Sequence, residues 1–291
     1  MHVGGEYNRT EYLPVGDPLT QAFECEHHAT SGGQVIISQQ VWNLMDPYFE
    51  TTKLDDHSPS LNGPFYKLEN LKSSAVKMKA DSLLIRTKFN QGSIQAILDI
   101  LESYIPKAVL PYIKIDQEKW SSELRRISVM FMNLGIDLSD AKSNEGLHKI
   151  QRIIKTVQKC LYQSEGSLNK ILMDDKGSTL IVAFGLPPFA HQDDPVRAVL
   201  ASFQLKEQLS KINCNCSIGI TTGLVFTGVV GTNGNRREYS VLGDTVNLSA
   251  RLMQAACGEK VRKILVDEET KNEGEHKIAF KFFECRTVKG E

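Results

Sequence analysis

The sequence predicts an α+β, ferredoxin-like sandwich over its second half, preceded by a partial copy of the same domain. Three observations carry this. From about residue 121 the apolar pattern runs strand, helix, strand pair, helix, strand pair, helix, strand, the order of an antiparallel-rich sheet with packed helices. A ten-residue stretch recurs: Asn8–Asp17 lines up with Asn235–Asp244 at a constant offset of 227, six positions being identical. The 291 residues are 41% hydrophobic and 24% charged, which suffices for a core in each of two domains and excludes wholesale disorder.

Arg126–Met132 alternates and is rich in β-formers, so it opens the second copy as a strand. Asn144–Tyr162 places Leu147, Ile150, Ile153, Ile154 and Val157 at helical spacing. Gly166–Phe184 holds strands, with Leu180–Phe184 a continuous apolar run suited to a buried one. Pro195–Leu209 is a second amphipathic helix. Asn215–Ile220 and Leu224–Val230 are expected as two strands split by a hairpin at Thr221-Thr222-Gly223. Gly243-Asp244 closes a strand and opens a third helix, and Lys263–Asp267 is a short apolar strand. In the first copy a helix follows Gly16-Asp17 and Gln34–Ser38 is the matching strand. A repeat this long implies duplicated domains and not a solenoid.

Asp55–Pro64 reads as a loop, Phe65–Leu71 as a closing strand. Ser93 after Gly92 suits a helix N-cap, and Ile94, Ile97, Leu98, Leu101 and Ile105 make an apolar stripe that Pro106 ends. Its expected role is a packed linker helix. The expected organisation is therefore 1–72, the C-terminal fragment of a first domain; 73–120, a helical linker; and 121–291, a nearly complete second domain. The first copy begins near the level of Val230, so Met1 is expected to fall inside a domain, as in a fragment or an incomplete gene model, and the chain is expected to stop before a last strand.

Composition narrows the function classes. Lys plus Arg is 34 and Asp plus Glu 35, so no broad basic face for nucleic acid is expected. No run of about 18 apolar residues exists, so no membrane-spanning helix is expected. Met1–Thr10 does not read as a signal peptide. The six cysteines are scattered and read as reduced thiols of a cytoplasmic protein.

The densest signal is Gly219–Arg251, with glycines at 219, 223, 228, 231 and 234 leading into Glu238–Arg251. Asn247 and Arg251 are four apart and project from one helix face. A guanidinium meets phosphate oxygens bidentately, and an amide beside it orients a ribose or phosphate oxygen. Spacing alone also fits an ordinary solvated face.

Gly243, Asp244, Val246, Asn247, Ala250 and Arg251 match the G-D-x-V-N-x-x-A-R pattern of the class III nucleotide cyclases. This segment therefore resembles that family's signature helix. The flanks agree: Leu124–Leu134 as opening strand, Ser217–Ile220 before and Gly228–Gly231 after the expected hairpin. Within the family the chain is most similar to the soluble, bicarbonate-responsive adenylyl cyclases with tandem cyclase domains, through Ser122–Arg125, Asn169-Lys170 and Asp175-Lys176-Gly177. The likeness covers about 115–291 well and 4–72 more loosely.

The resemblance implies conversion of ATP to 3′,5′-cyclic AMP and pyrophosphate at a site between two paired cyclase domains, with Mg²⁺ or Mn²⁺ as cofactor. By position, Lys170 and Ser240 would read adenine, Asn247 would orient the ribose, Arg251 would stabilise the pentavalent phosphorus, and Lys289 would contact phosphate. The partners implied are ATP and a complementary cyclase domain, with no nucleic acid or membrane. Lys170 has the competing reading of a surface lysine.

Several positions depart from the pattern. Asn133 stands where a metal-binding domain carries Asp, and the second metal position falls on Ser178. Asp174 and Asp175 lie close by, on an expected turn. No metal ligand is therefore assigned to this chain, and alone it is expected to be inactive. In the first copy Thr20 and Glu24 stand where Asn247 and Arg251 stand in the second, and Phe23 falls where the bicarbonate-binding arginine would be. Cys25, His27 and His28 are expected on a helix surface, since two ligands on one face do not make a zinc site. Cys214 and Cys216 are expected as buried thiols on a strand, and His191–Pro195 as a helix-entry loop. The alternative function is a catalytically inactive cyclase-like module that binds nucleotide or dimerises.

Overall fold

A computed structural model describes residues 1–54, 63–72, 91–110, 122–174, 177–231, 237–257 and 263–283. The described elements in chain order are β1 (His2–Gly4), β2 (Thr10–Tyr12), α1 (Asp17–His27), β3 (Ile36–Ser38), α2 (Gln39–Met45), β4 (Phe49–Lys53), β5 (Phe65–Leu71), α3 (Gln91–Glu102), β6 (Glu123–Asn133), α4 (Asn144–Gln163), β7 (Ser167–Asp174), β8 (Gly177–Phe184), α5 (Asp194–Ser210), β9 (Ser217–Gly231), β10 (Arg237–Leu242), α6 (Asp244–Ala256), β11 (Ile264–Val266) and α7 (Glu268–Gly274). They form two compact units, Met1–Leu13 with Gln95–Glu291, and Pro14–Ile94.

The larger unit is built on a sheet in the order β10-β9-β6-β8-β7, antiparallel along that path, with β11 added parallel to β9. Its core is where the periodicity places it. Ile150, Ile153, Ile154, Val157 and Leu161 of α4 are buried with Leu180, Val182 and Phe184 of β8 and Val129, Met130 and Met132 of β6. Ser143 caps α4 by accepting the Gly146 amide at 3.0 Å.

Gln158 is the polar exception on the buried face of α4, and it is fully buried. Its Nε2 donates to the Arg9 carbonyl at 2.9 Å and its Oε1 accepts the Glu6 amide at 3.2 Å. Gln151, two turns earlier, exchanges two hydrogen bonds with the Gly4 backbone. Side chains of α4 thus satisfy the backbone of the β1–β2 hairpin, which is why Met1–Leu13 groups with the distant second half.

The expected hairpin at Thr221-Thr222-Gly223 is corrected. β9 is one continuous strand of 15 residues, and Thr221, Thr222 and Gly223 pair with Val129, Ser128 and Ile127 of β6. The two threonines are β-branched residues whose hydroxyls are satisfied in place: Thr222 Oγ1 lies 2.8 Å from both Ser128 Oγ and Thr270 Oγ1, and Thr221 Oγ1 donates to the Thr245 carbonyl at 2.7 Å. The β9–β10 reversal falls between Gly231 and Arg237 instead. The linker helix is corrected too. Ile94, Leu98 and Leu101 of α3 are exposed, and burial of apolar side chains begins only after it, at Ala108 and Val109.

In the smaller unit β3, β5 and β4 form a three-stranded sheet, and Phe65–Leu71 is a strand as expected. The local geometry of the two sequence copies agrees. Gly4↔Thr10, Val3↔Glu11 and His2↔Tyr12 pair in β1–β2 as Gly231↔Arg237, Val230↔Glu238 and Val229↔Tyr239 pair in β9–β10, each 227 residues on. α1 and α6 both begin directly after a glycine of positive φ, Gly16 at 117° and Gly243 at 144°.

Candidate functional site

Helix α6 is seated by glycines. A Cβ on Gly219 of β9 would lie 2.2 Å from the Ser249 carbonyl oxygen and 2.4 Å from the Met253 nitrogen; one on Gly223 would meet Thr245 Oγ1 at 2.6 Å. The helix backbone therefore rests against the strand itself. Two of the glycines that mark this segment serve that close approach. Val246, Ser249, Met253 and Ala256 are the buried face of α6. Asn247 and Arg251 lie on the other face, Asn247 exposed and Arg251 partly so. Among the described residues no carboxylate pairs with Arg251.

Strand β10 runs through Gly243 into α6, so Ser240 lies seven residues before Asn247 on continuous chain. Ser240 is buried, and it shares a face of β10 with Glu238. Glu238 Oε1 sits 3.1 Å from the Lys170 ammonium, both side chains partly exposed. Beside this pair Asn169 Nδ2 donates to the Tyr239 carbonyl at 3.1 Å. β7 and β10 stand at opposite ends of the sheet order, yet these two contacts tie them together. Lys170 and Ser240 are thus brought to one region. Lys289 and Asp175 lie outside the described residues, and Asp174 ends β7.

At the far end of β6, Asn133 Oδ1 accepts the Gly135 amide at 2.7 Å. Ser178 is buried, its Oγ accepts the Ile136 amide at 3.2 Å, and its carbonyl accepts the Leu134 amide at 3.0 Å. The two positions are neighbours, since Asn133 pairs with Thr179. Both side chains are neutral and hydrogen-bonded to backbone, so these positions offer none of the carboxylate oxygens that anchor a Mg²⁺ ion. Among the described residues no group of three or more His, Cys, Asp or Glu could hold a metal.

The other candidates are structural. Burial pushes the Cys25 thiol up, and the His28 ring packs on Phe65 at 4.3 Å between centroids. Cys214 and Cys216 are buried but precede β9, a small correction to the expected strand. His191 donates its amide to Asp194 Oδ2 at 2.8 Å in the loop entering α5. Thr20, Phe23 and Glu24 of α1 are partly exposed.

Sequence reasoning assigned nothing to Glu238, although its repeat counterpart Glu11 was visible. Nor did it foresee the buried pair of Arg9 and Glu11, 2.7 Å apart from Nε to Oε1. Burial pushes the Glu11 carboxyl up to about 7, outweighing the neighbouring Arg9, which pulls it down. The hydroxyl of Tyr162 is pushed up by the same burial.

Comparisons with known proteins show the family to which the chain belongs. The family described as the adenylate and guanylate cyclase catalytic domain matches residues 121–291. Adenylate cyclase type 10 of Homo sapiens is 34% identical over 282 residues, 87% of this chain and 16% of the relative. The same enzyme of Oryctolagus cuniculus is 32% identical over 269 residues, with the same shares. The chain thus spans about 16% of the length of these curated relatives. Among solved structures, a bacterial light-regulated adenylyl cyclase aligns with a TM-score of 0.52 at 18% identity, covering 62% of this chain and 54% of that one. The guanylyl cyclase Cya2 aligns at 0.50 and 20% identity, covering 59% and 89%. These two show the fold. Among the described residues no helix is long and apolar enough to cross a membrane.

Proposed function

Since the chain belongs to the adenylate and guanylate cyclase catalytic domain family, we propose that it is the base-reading and transition-state-stabilising half of an adenylyl cyclase site. The other half, with the divalent metal, comes from a complementary cyclase domain; Asn133 and Ser178 offer no carboxylate for it. The observation that carries the reading is the continuous run from Lys170–Glu238 through Ser240 and Gly243 to Asn247 and Arg251 on the outer face of α6.

In the reaction the ATP 3′-oxygen attacks the α-phosphorus, the phosphodiester closes, and pyrophosphate leaves. Arg251 carries a permanent positive charge with no carboxylate beside it among the described residues. It neutralises charge developing on the pentavalent phosphorus. Asn247, one turn earlier, holds the ribose. Lys170 and Ser240 meet the adenine, and Lys289 meets phosphate. The counterpart positions Thr20 and Glu24 cannot repeat the Arg251 role, since a carboxylate would repel phosphate. The segment with β1–β2 and α1 is a partial copy of a cyclase domain, a reading supported by the matching registers and helix starts.

The test is a cyclic AMP assay of the 291-residue chain with ATP and Mn²⁺, alone and mixed with a separately expressed metal-binding cyclase domain. Activity only in the mixture supports the reading. No activity in the mixture, with the partner domain folded and bound, overturns it in favour of a non-catalytic nucleotide-binding or dimerisation module, the reading that the neutral Asn133 and Ser178 favour.

A further inference from the structure

Strand β7 is not regular. Ser167 stands opposite Ala183 and Leu168 opposite Val182 of β8, but the next paired residue is Lys170, opposite Ile181. Asn169 is therefore the extra residue of a β-bulge. Residues opposite each other in a ladder share a face of the sheet. Val182 and Ile181 are adjacent, so Leu168 and Lys170 lie on opposite faces although they are two apart in the chain. In a strand without the extra residue they would share one. The bulge thus turns Lys170 away from the face that carries Leu168. It also buries Leu168 and Asn169 in succession, at 1% and 8% exposure, which plain alternation does not do.

The side chain of the bulge residue bridges the sheet. Asn169 Nδ2 donates to the Tyr239 carbonyl at 3.1 Å, and the next residue, Lys170, reaches Glu238 at 3.1 Å. Successive residues of β7 thus meet successive residues of β10 in reverse order, an antiparallel register made by side chains between the two end strands of the sheet path. Asn169 Oδ1, by contrast, is buried with no hydrogen-bond partner among the described residues. A stranded buried acceptor costs at least as much as one such bond contributes, so folding stability does not account for an amide at this position. What the amide does is fix the distance between β7 and β10, and with it the distance between Lys170 and Ser240, which follows Tyr239 directly.

We propose that Asn169 determines base selectivity as a positioning residue: it holds Lys170 and Ser240 at the spacing that fits adenine, and it acts through them without touching the nucleotide. The inference rests on the reading of Lys170 and Ser240 as the base-contacting pair. Adenine offers an amine beside a ring acceptor where guanine offers a carbonyl oxygen beside a ring N–H, so one pair of polar side chains suits the two bases only at different placements. Loss of the fixed spacing is therefore felt first as lost discrimination. Turnover is less exposed to it, because the reacting phosphorus is met by Asn247 and Arg251 on α6, a different element.

The experiment mixes the full chain with the separately expressed metal-binding cyclase domain and measures kcat and KM for ATP and for GTP with Mn²⁺. The variants are Asn169→Leu, similar in size but without a donor, and Asn169→Ser, a smaller change that serves if the first does not fold. The preference for ATP over GTP in kcat/KM is expected to fall about tenfold, the worth of one hydrogen bond. The fall comes through a raised KM for ATP, with kcat at saturation within about twofold of the parent. Combined with Lys170→Ala, the Asn169 change is expected to lose less than the product of the two single factors, because it acts through that lysine. Thr222→Val, which strands hydroxyls elsewhere in the sheet, is expected to keep the parent's preference. An inactive parent mixture, or one indifferent to the base, overturns the adenylyl reading and this inference with it. With an active, ATP-preferring parent, three results overturn this inference alone: preference kept within about twofold, equal losses for ATP and GTP, or fully multiplicative effects in the double variant. A matching loss of preference in Thr222→Val does the same, since it marks general loosening.

Discussion

Replacing Gly219 by alanine tests the seat of α6 directly. The added Cβ would lie 2.2 Å from the Ser249 carbonyl oxygen and 2.4 Å from the Met253 nitrogen, and both atoms are backbone, which cannot rotate away. Restoring ordinary contact requires helix and strand to part by about 1 Å. β9 pairs with β6 along its length, so the helix is the element that yields. Overpacking in a close-packed interior costs about 1–3 kcal/mol, and with backbone on both sides the expected loss lies at the upper end. The same displacement carries Asn247 and Arg251 with it, and an error of about 1 Å in a catalytic group costs on the order of 10²-fold in rate. Urea unfolding followed by circular dichroism reads the first effect, and the complementation assay reads the second. A Gly219→Ala chain within about 0.5 kcal/mol of the parent, the spread of neutral surface changes, would refute the close approach as the reason for glycine.

Four further outcomes follow from the same geometry. Thr222→Val keeps the β-branched shape but removes the hydroxyl shared by Ser128 and Thr270; it is expected to cost about 1–3 kcal/mol in urea unfolding, the penalty of stranded buried polar groups. Glu11 has its carboxyl raised by burial to about 7, above its unfolded value of 4.5, so the native state holds a proton that the unfolded chain has lost. Stability should therefore fall as pH rises from about 4.5 to about 7, by at most about 3 kcal/mol, and Glu11→Gln should flatten that slope in thermal melts. In the complementation assay Arg251→Ala should lower kcat by about 10²- to 10³-fold with little change in KM, and unchanged kcat would sink its assigned role. Glu238→Gln, which releases the Lys170 ammonium from its partner 3.1 Å away, is expected instead to weaken the preference for ATP over GTP; an unaltered preference would separate Lys170 from base reading.

Much of this protein is legible in one dimension because its signals are local. The helical spacing at Ile150, Ile153, Ile154 and Val157 and the apolar run Leu180–Phe184 specify a buried face whatever they pack against, and both are buried. The spacing of Asn247 and Arg251 by four residues fixes their common face before any fold is known. The errors arose where a local signal met a non-local partner. Thr221-Thr222-Gly223 looks like a turn until the hydroxyls of Ser128 and Thr270 arrive from far along the chain. The apolar stripe of α3 promises burial, but periodicity cannot say whether a partner exists, and Ile94, Leu98 and Leu101 remain exposed.

What the sequence by itself determined is the repeat at offset 227, the order of elements in the second half apart from the strand break at Thr221-Thr222-Gly223, and the identity of the α6 motif. Each is a property of residues close together in the chain, where backbone period and side-chain type suffice. Only the tertiary structure decided that Lys170 meets Glu238 beside Ser240, that Gly219 is a space for the α6 backbone and Gly223 one for the Thr245 side chain, and that Gln158 anchors a hairpin more than a hundred residues upstream. Those pairings join opposite ends of a sheet or distant stretches of chain. They form because buried donors, acceptors and charges must find partners wherever the fold brings one within reach.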